Sequence, residues 1–432
     1  MPAADRPRVL FIHPAYPNQF TRIARVLHDR GDLEIVGLID QSLLPQAADD
    51  PVPHLGFRTD GVPTPASYPF VHAFEAGIRQ ARGLAHRLVL LRRHRPVDVV
   101  VGHAGFGATL YARSLLGCAV VAYAELPGYH AQAARPEFPF VLDQLLAGGA
   151  CEALTHTSLL HADLGVVPSH HARQLFPPEL QPKIRVQMEG FEVSTRPPGG
   201  PAERRALGLP AEGPIVGFFG RTLEAVRGFD VFAQVMRRLR EIRPDLHVLV
   251  IGEEATIYGN ETPYLNGLSF KQWALQQAGL DAGSIHWRGF MPYDAFRQYL
   301  ACLDLAILPL FEGAGNWNVL EAMAAGVPLL TSTRAYVPEV LNAPREAILL
   351  DPYDLDGFVR HARLLLDHPE RARALGRAAQ ARLRRDFSPE RAADGYRRII
   401  DEAMERRRSA GAAAHGWHMT HPGTTAALAV PA

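Results

Sequence analysis

Two carboxylates, Glu312 and Glu321, flank a glycine-containing loop in residues 312–328, which read E-G-A-G-N-W-N-V-L-E-A-M-A-A-G-V-P. An apolar strand, Leu305 to Leu310, leads into this loop, and a run of strong helix formers follows it. The first N–H groups of a helix are free and carry a partial positive charge, which favours a phosphate. Carboxylates accept hydrogen bonds from hydroxyl groups. The stretch therefore predicts a pocket for a ligand that is both phosphorylated and polyhydroxylated.

The start of the helix within this stretch is predicted at Asn318. Asparagine is a favoured N-cap residue, and Glu321 lies three residues later, at the spacing of a capping box. Gly326 and Pro328 are expected to end the helix. This position gives Glu321 a structural role as well as a functional one.

Two arginines lie on either side of a short loop in residues 217–230, which read G-F-F-G-R-T-L-E-A-V-R-G-F-D. Arg221 and Arg227 follow a predicted strand, Ile215 to Phe219. Guanidinium groups bind phosphate oxygens in bidentate geometry, so the pair suits a diphosphate and would stabilise a departing nucleoside diphosphate. Two solvated surface arginines are the alternative interpretation.

In the first half of the chain, polar residues follow two apolar strands. Asn18 and Gln19 come after the strand Arg8 to His13, where they either touch a ligand or form a turn before a helix. His103 follows the strand Val97 to Val101, next to Gly102, and is either a site residue or a satisfied structural histidine. Three further histidines have no comparable placement: His130, His170 and His171.

Strands and helices alternate in both halves of the chain, which predicts two doubly wound α/β domains that face each other. In such sheets, ligands bind beyond the carboxyl ends of the strands, so the site is expected in the cleft between the domains. Residues 194–214 are rich in Pro and Gly and predict the domain boundary. The predicted division is 1–195 for an N-terminal domain on the acceptor side and 196–388 for a C-terminal domain on the donor side. A helix over 389–408 is expected to pack back toward the N-terminal domain, and a flexible tail over 409–432 follows it.

Three further segments carry predictions about secondary structure. Residues 40–68 are rich in Pro and Asp and are predicted as loop, and one helix is expected over about Phe138 to His161. A long helix is expected over Phe74 to His94, and its residues 78–95 are basic and amphipathic. Such a helix either lies on an anionic membrane surface or covers the sheet with its arginines in solvent.

Composition excludes several classes of protein. The 432-residue chain has 45 basic and 45 acidic side chains, so its formal net charge of zero gives no indication of a nucleic-acid partner. Its three cysteines lie far apart, which favours a reducing compartment over a disulfide framework. We expect a cytoplasmic protein, because no signal stretch and no run of membrane-spanning length is present.

No metal or other cofactor is expected. His170 and His171 are adjacent rather than helically spaced, and no cluster of cysteines or histidines supports them. A single D-x-D, Asp354 to Asp356, follows a strand and precedes a helix, where helix capping is the expected role.

Three stretches resemble the retaining glycosyltransferase family 4, whose members have the GT-B fold. V-L-F-I-H-P-A-Y-P-N-Q-F-T-R-I-A-R-V-L at 9–27 is similar to the N-terminal domain of one branch. G-R-T-L-E-A-V-R-G-F-D at 220–230 resembles the family's diphosphate-binding segment, and residues 312–328 resemble its paired-glutamate signature. The resemblance covers roughly residues 8–400. It implies transfer of a sugar from a nucleotide-sugar donor to a hydroxyl acceptor with retention of configuration and without a metal.

The resemblance also implies roles for individual residues. Arg221 and Arg227 would hold the donor diphosphate, although the family usually has Lys at the second position. Glu312 would face the donor sugar, Glu321 would bind the ribose, and His103 would lie near the reacting sugar. The remaining implied donor contacts are the backbone of residues 313–320, which includes Gly313, Gly315, Asn318 and Leu320, and the base-contacting segment 287–290, which ends at Phe290.

The spacing of the two glutamates departs from the family pattern. Eight residues separate Glu312 from Glu321, one more than in the family. Either the loop bulges by one residue, or Gly313 occupies the position of the first glutamate. A non-catalytic protein that binds sugar nucleotides or acts as a scaffold on the GT-B fold is therefore the alternative hypothesis. The acceptor is unknown and is expected to meet loops 40–68 and 125–140.

Overall fold

The N-terminal half is built on a seven-stranded parallel sheet with the strand order β3-β2-β1-β4-β5-β6-β7. The structure is a computed structural model that describes residues 6–128 and 135–410. The strands are β1 (Arg8–Ile12), β2 (Glu34–Asp40), β3 (His54–Phe57), β4 (Val99–His103), β5 (Ala119–Tyr123), β6 (Leu164–Val167) and β7 (Ile184–Val186). The apolar runs of β1, β4 and β5 are buried on both faces, as expected for the centre of a parallel sheet.

Helices cover both faces of this sheet. They are α1 (Thr21–Arg30), α2 (His72–His94), α3 (Ala112–Leu116), α4 (Leu142–His161) and α5 (His170–Gln174). The apolar stripe of α2 buries Leu84, Leu88 and Leu91, in one cluster with residues of the sheet. At the end of α1, Gly31 adopts a left-handed conformation with φ of 70°, which suits glycine, and its N–H donates to the carbonyl of His28.

The C-terminal half repeats the architecture with a six-stranded parallel sheet in the order β10-β9-β8-β11-β12-β13. The strands are β8 (Ile215–Thr222), β9 (His247–Glu253), β10 (Ile285–Arg288), β11 (Leu305–Leu308), β12 (Leu329–Ser332) and β13 (Ile348–Leu350). The helices are α6 (Pro201–Ala206), α7 (Phe229–Ile242), α8 (Phe270–Ala278), α9 (Tyr293–Ala301), α10 (Trp317–Ala325), α11 (Val337–Val340), α12 (Leu355–Asp367) and α13 (Pro369–Asp386). The predicted α/β fold class, with two doubly wound Rossmann-like domains, is therefore confirmed.

The final helix, α14 (Pro389–Ser409), leaves the second sheet and packs on the first. Ala393, Tyr396 and Ile400 on this helix are fully buried in one cluster with β-strand residues of the N-terminal sheet. Residues 411–432, most of the predicted tail, lie outside the described residues. Over the described part of the chain, no helix is long and apolar enough to span a membrane.

Two predictions about secondary structure were wrong. Residues 40–68 contain an edge strand, β3, which has four residues and is mostly half-buried, so its sequence carries little apolar alternation. The helix expected from Phe138 begins only at Leu142. Phe138 lies instead in the core of the C-terminal domain, where its ring contacts those of Phe270 and Trp273 at centroid distances of 5.9 and 5.4 Å.

Residues 135–141, which we call the bridging segment, therefore connect the two domains. Arg135 donates from both terminal nitrogens to the carboxylate of Asp230, each over 2.8 Å, and both side chains are buried. The Asn260 side chain donates to the carbonyl of Phe138. A segment that follows a strand of the first sheet is thus held by α7 and by the loop after β9 of the second domain.

Candidate active site

The carboxyl ends of the two sheets meet at the loop after β11. The hydroxyl of Ser169, just after β6, donates to the carbonyl of Ala314. A Cβ added at Gly315 would lie 2.9 Å from the Cβ of Pro168, so a larger residue would force the two loops apart. The predicted site therefore lies at the interface of the domains.

Glu312 reaches across this interface to His171. The Nε2 atom of His171 forms a short hydrogen bond with Oε1 of Glu312. This bond raises the pKa of His171 above its usual value, and the nearby charge of Glu339 acts in the same direction. Glu312 also accepts a hydrogen bond of 2.9 Å from the N–H of Gly313.

Sequence reasoning gave His171 no placement comparable to that of His103 and did not anticipate its contact with Glu312. His171 lies on the five-residue helix α5, whose first amides, of His170 and His171, each donate to the carboxylate of Glu339 over 2.7 Å. A residue of the C-terminal domain thus orients the helix that carries the partner of Glu312. These contacts span more than 140 positions of sequence, and spacing alone gives no signal for them.

Glu321 is buried and has two partners. The Tyr293 hydroxyl donates to its Oε2 atom over 2.7 Å, and Arg22 of the N-terminal domain lies 3.7 Å from its Oε1 atom. Burial raises the pKa of Glu321, and the charge of Arg22 opposes this shift. The Arg22 guanidinium lies over the rings of Phe191 and Trp317, at 4.8 and 5.4 Å from their centroids.

The predicted capping box at Asn318 was wrong. Helix α10 begins at Trp317 with Asn316 as the N-cap residue, and the carbonyl of Asn316 accepts a hydrogen bond from the Tyr336 hydroxyl. Asn318 is the second residue of the helix, and its side-chain amide donates to the carbonyl of Phe219 over 3.4 Å. Glu321 points toward Tyr293 instead of back to the helix start, because Tyr293 and Arg22 offer it partners in the buried interface.

Tight packing and side-chain hydrogen bonds shape the loop before α10 and its first turn. The side chain of Leu320 is fully buried in the C-terminal core, so any ligand contact of this residue would involve its backbone. The N–H of Val319 is held by the Asn318 side chain over 3.0 Å. A Cβ at Gly313 would lie 1.8 Å from the side chain of Asn316, so this position has no room for a side chain.

Arg221 and Arg227 both contact Tyr258. Arg221 is exposed, and its Nη1 atom donates to the Tyr258 hydroxyl over 3.3 Å. Arg227 is buried, and its guanidinium carbon lies 5.4 Å from the centroid of the same ring. The structure therefore brings the two predicted arginines together around one aromatic side chain from the loop after β9.

Glu224 fixes the loop that carries these arginines, and sequence reasoning missed it. Its carboxylate is fully buried and accepts three consecutive backbone N–H groups, from Ile257, Tyr258 and Gly259, over 2.8 to 3.0 Å. It also accepts a hydrogen bond of 3.3 Å from Nε of Arg227. The acidic residue between two arginines in R-T-L-E-A-V-R was the available signal.

His103 lies at the carboxyl end of β4, in a cluster of aromatic rings. Its Nε2 atom is 3.3 Å from a carboxylate oxygen of Glu125, and its ring centroid is 5.4 Å from that of His13. Burial and the adjacent His103 lower the pKa of His13 to about 3, so His13 is neutral at physiological pH. The structure thus pairs His103 with Glu125, which was not among the predicted site residues.

The other predicted residues do not join these contacts. Asn18 forms a turn before α1: its carboxamide oxygen accepts from the N–H of Phe20 over 2.9 Å, and its amide donates to the carbonyl of Ala15 over 2.7 Å. Gln19, next to it, is half-buried. Phe290 is 85% exposed, so its ring lies in solvent beyond β10. Asp354 caps α12 by accepting from the N–H of Gly357, as expected.

Two family models match the chain, one in each half. The model described as Glycosyl transferase family 4 group matches residues 31–195, and the model described as Glycosyl transferases group 1 matches residues 213–368. Together they cover most of the described residues: the first contains every strand of the N-terminal sheet except β1, and the second contains all six strands of the C-terminal sheet.

Among curated proteins, the D-inositol 3-phosphate glycosyltransferase of Segniliparus rotundus is 27% identical over 265 residues, which is 61% of this chain and 56% of the relative. The chain spans about half the length of the curated relatives it matches. Among solved structures, Anabaena HepE in complex with UDP and glucose has a TM-score of 0.67 and 15% identity, and covers 92% of this chain and 100% of that chain. Sucrose-phosphate synthase from Thermosynechococcus elongatus has a TM-score of 0.69 and 16% identity, with coverages of 93% and 100%.

Proposed function

Since the chain belongs to the family 4 glycosyltransferases of the GT-B fold, we propose that it transfers a sugar from a nucleotide-sugar donor to a hydroxyl acceptor with retention of configuration. The donor occupies the C-terminal domain, and the acceptor meets the N-terminal domain. The reaction requires no metal, because arginine side chains supply the positive charge.

One observation carries this proposal. At the carboxyl edge of the second sheet, the paired arginines Arg221 and Arg227 lie on a loop that the buried carboxylate of Glu224 holds in place. At the carboxyl edge of the first sheet, His103 is paired with Glu125. A diphosphate leaving group needs preorganised positive charge, and an acceptor hydroxyl needs hydrogen-bond partners, so the two edges suit the two halves of one transfer reaction.

The proposed chemical step breaks the bond between the sugar anomeric carbon and the diphosphate oxygen. The acceptor oxygen forms its bond to the same carbon on the same face, and the acceptor proton passes to the departing phosphate oxygen. Arg221 and Arg227 stabilise the diphosphate as its charge develops. Glu321 accepts hydrogen bonds from the ribose, and Glu312 accepts one from the donor sugar while His171 holds its carboxylate.

The donor proposed for the first experiment is UDP-glucose. The support comes from HepE, whose structures contain UDP, glucose and UDP-glucose. The low identity to HepE shows the fold alone, so other nucleotide sugars belong in the same screen. The acceptor is left open by this comparison.

The test combines binding with turnover. Purified protein is mixed with UDP-glucose, GDP-mannose or ADP-glucose, and the thermal midpoint and the release of nucleoside diphosphate are measured with and without EDTA. Binding raises the thermal midpoint of unfolding by mass action. When no acceptor is present, transfer of the sugar to water releases the nucleoside diphosphate. We expect one donor both to raise the thermal midpoint and to be hydrolysed, and we expect EDTA to leave the rate of nucleoside diphosphate release unchanged.

Two outcomes contradict the proposal. Binding of a donor without hydrolysis, and without transfer to any alcohol, favours the non-catalytic sugar-nucleotide-binding alternative. Loss of turnover in EDTA that added Mg²⁺ restores contradicts metal independence. The anomeric configuration of any product, from the proton coupling in its NMR spectrum, tests retention.

A further inference from the structure

A cavity of about 300 Å³ opens in the N-terminal domain beside His103 and Glu125. Its walls come from α2, α4, the loop before α2 and the residues that follow β5. Val62, Phe106, Leu126 and Leu154 are among the residues that line it. Both loops from which we expected acceptor contact, 40–68 and 125–140, contribute described residues to it, within 59–63 and 125–128.

The lining is mainly apolar, and its polar side chains are Thr59, Gln80, His103, Glu125 and Thr155. Among its described residues, Glu125 is the one carboxylate, and neither Lys nor Arg is present. Arg79, whose guanidinium lies near Gly61 at the edge of the cavity, donates to the carboxylate of Glu75 over 2.7 Å and to the carbonyl of Asp60 over 3.0 Å. A phosphate in this cavity would therefore meet the charge of Glu125 without a counter-ion from the wall.

Glu125, which lines the cavity, has an unusual backbone conformation. Its backbone φ is 49°, a left-handed value that residues other than glycine rarely adopt. This conformation is concentrated at functional sites, where the surrounding structure holds it. Its carboxylate is 3.3 Å from Nε2 of His103, so a carboxylate oxygen and a ring nitrogen lie together where both could hydrogen-bond one hydroxyl group.

We infer that this cavity takes an uncharged acceptor with an apolar body, whose hydroxyl binds between Glu125 and His103. An engineered apolar cavity of about 150 Å³ holds benzene, so this one has room for about two such rings. The assignment as an acceptor pocket rests on the proposed glycosyl transfer. The inferred acceptor differs in charge from inositol 3-phosphate, the substrate that the name of the Segniliparus relative gives.

The rate at which Cys151 is alkylated can report directly whether a ligand occupies the cavity. Cys151 is one of the lining residues and is half-buried, while Cys118 and Cys302 are buried elsewhere. Burial raises the pKa of Cys151, so alkylation is measured at pH 9, where more thiolate forms. Iodoacetamide labelling of the full-length protein, quantified by peptide mass spectrometry, needs neither donor nor turnover.

The probes are 2-naphthol in solution, inositol 3-phosphate, and diacylglycerol in phosphatidylcholine vesicles with vesicles alone as the blank. We expect 2-naphthol or the vesicle alcohol to slow labelling of Cys151 at least tenfold, and inositol 3-phosphate to leave the rate unchanged. Protection by naphthol alone identifies a free small molecule as the source, and protection by diacylglycerol alone identifies a lipid. Stronger protection by the phosphate, or no protection by either alcohol, overturns the inference.

Two variants control for indirect effects. Ala76→Trp fills the cavity from an exposed position of α2 and should abolish protection by the alcohol. Ala153→Trp adds the same ring to an exposed position of α4 outside the lining and should leave protection intact. If Ala76→Trp is still protected, the alcohol binds elsewhere and the inference fails.

The same probes separate this inference from the proposed function. If a donor is bound and hydrolysed but naphthol neither protects Cys151 nor accepts sugar, the proposed glycosyl transfer is supported and the inference of an apolar acceptor pocket is wrong. When naphthol protects Cys151 but no nucleotide sugar turns over, the cavity binds apolar alcohols and its assignment as an acceptor pocket falls. A glycosylated naphthol whose yield drops in Ala76→Trp, and not in Ala153→Trp, supports both.

Discussion

The hydroxyl of Tyr293 donates a hydrogen bond to Oε2 of Glu321, with 2.7 Å between the two oxygens. In the proposed complex, Glu321 accepts hydrogen bonds from the donor ribose instead. We expect the ribose to bind at Oε2, where Tyr293 therefore competes with it for this one oxygen.

Tyr293→Phe should consequently tighten donor binding. An unpaired buried acceptor costs about 1–3 kcal/mol, and the ribose hydroxyl would restore the missing bond only in the complex. We expect the Kd for UDP, measured by titration calorimetry, to fall about tenfold, which corresponds to about 1.4 kcal/mol. Tyr68→Phe, at a 64% exposed tyrosine, is the matched control and should not change it. Weaker binding by Tyr293→Phe would show that Tyr293 supports the site rather than competes for it.

The two arginines should separate binding from stability. Arg221 is exposed, so Arg221→Ala should weaken UDP binding at least tenfold, because a hydrogen bond to a charged group contributes about 1.5–3 kcal/mol. Its free energy of unfolding in urea should stay within about 0.5 kcal/mol of the wild type.

Arg227 also pairs with the fully buried Glu224. Arg227→Ala should weaken UDP binding and also lower the free energy of unfolding by about 2 kcal/mol, because it removes a partner of a buried carboxylate. If both alanine variants unfold at the same urea concentration, the Arg227–Glu224 contact does not stabilise the loop.

The strands of both sheets other than the edge strand β3 could be predicted, because an apolar run is a local property of the sequence and β3 has little of one. The site residues that could be predicted were those in loops at strand ends, such as Arg221 and Glu312. Their partners could not be predicted, since Tyr293, Arg22 and His171 reach the two glutamates through the packing of distant segments. Asn318 shows the opposite error, because a local capping rule suggested a role that the buried interface overrides.

The contact between the bridging segment and the C-terminal domain should contribute to the free energy of unfolding. Arg135 and Asp230 are both 5% exposed and form a bidentate pair, so Arg135→Met or Asp230→Asn should each cost about 3–5 kcal/mol by leaving the other charge buried and unpaired. In a double-mutant cycle, the combined variant should lose less than the sum of the two, with a coupling of about 2 kcal/mol.

The exposed pair Arg238–Asp356 is the control for this cycle. Its nitrogen and oxygen lie 2.7 Å apart, yet the side chains are 48% and 85% exposed. Surface pairs contribute about 0–1 kcal/mol, so Arg238→Met should hardly change unfolding. Additive costs at Arg135 and Asp230, measured by urea unfolding, would mean that the two side chains act independently.

Glu189 should make stability depend on pH. This carboxyl is buried where the chain leaves β7, and it accepts a hydrogen bond from Tyr123. Burial raises its pKa from 4.5 to about 7, while the hydrogen bond from Tyr123 and the charge of Arg22 oppose the shift. Between these two pH values the folded protein keeps a proton that the unfolded chain has released, so the free energy of unfolding falls as pH rises through this window.

Glu189→Gln removes the titrating group and keeps an oxygen that can accept from Tyr123. From pH 4.5 to pH 8, the stability of this variant relative to the wild type should therefore rise by about 3 kcal/mol. The difference between the proteins is the readout, because His13, with a pKa lowered to about 3, gives both proteins the opposite slope below pH 6.5. Glu179→Gln, at an exposed glutamate, should run parallel to the wild type. A constant difference between Glu189→Gln and the wild type in urea unfolding across this range would show that the buried carboxyl ionises at its ordinary pH.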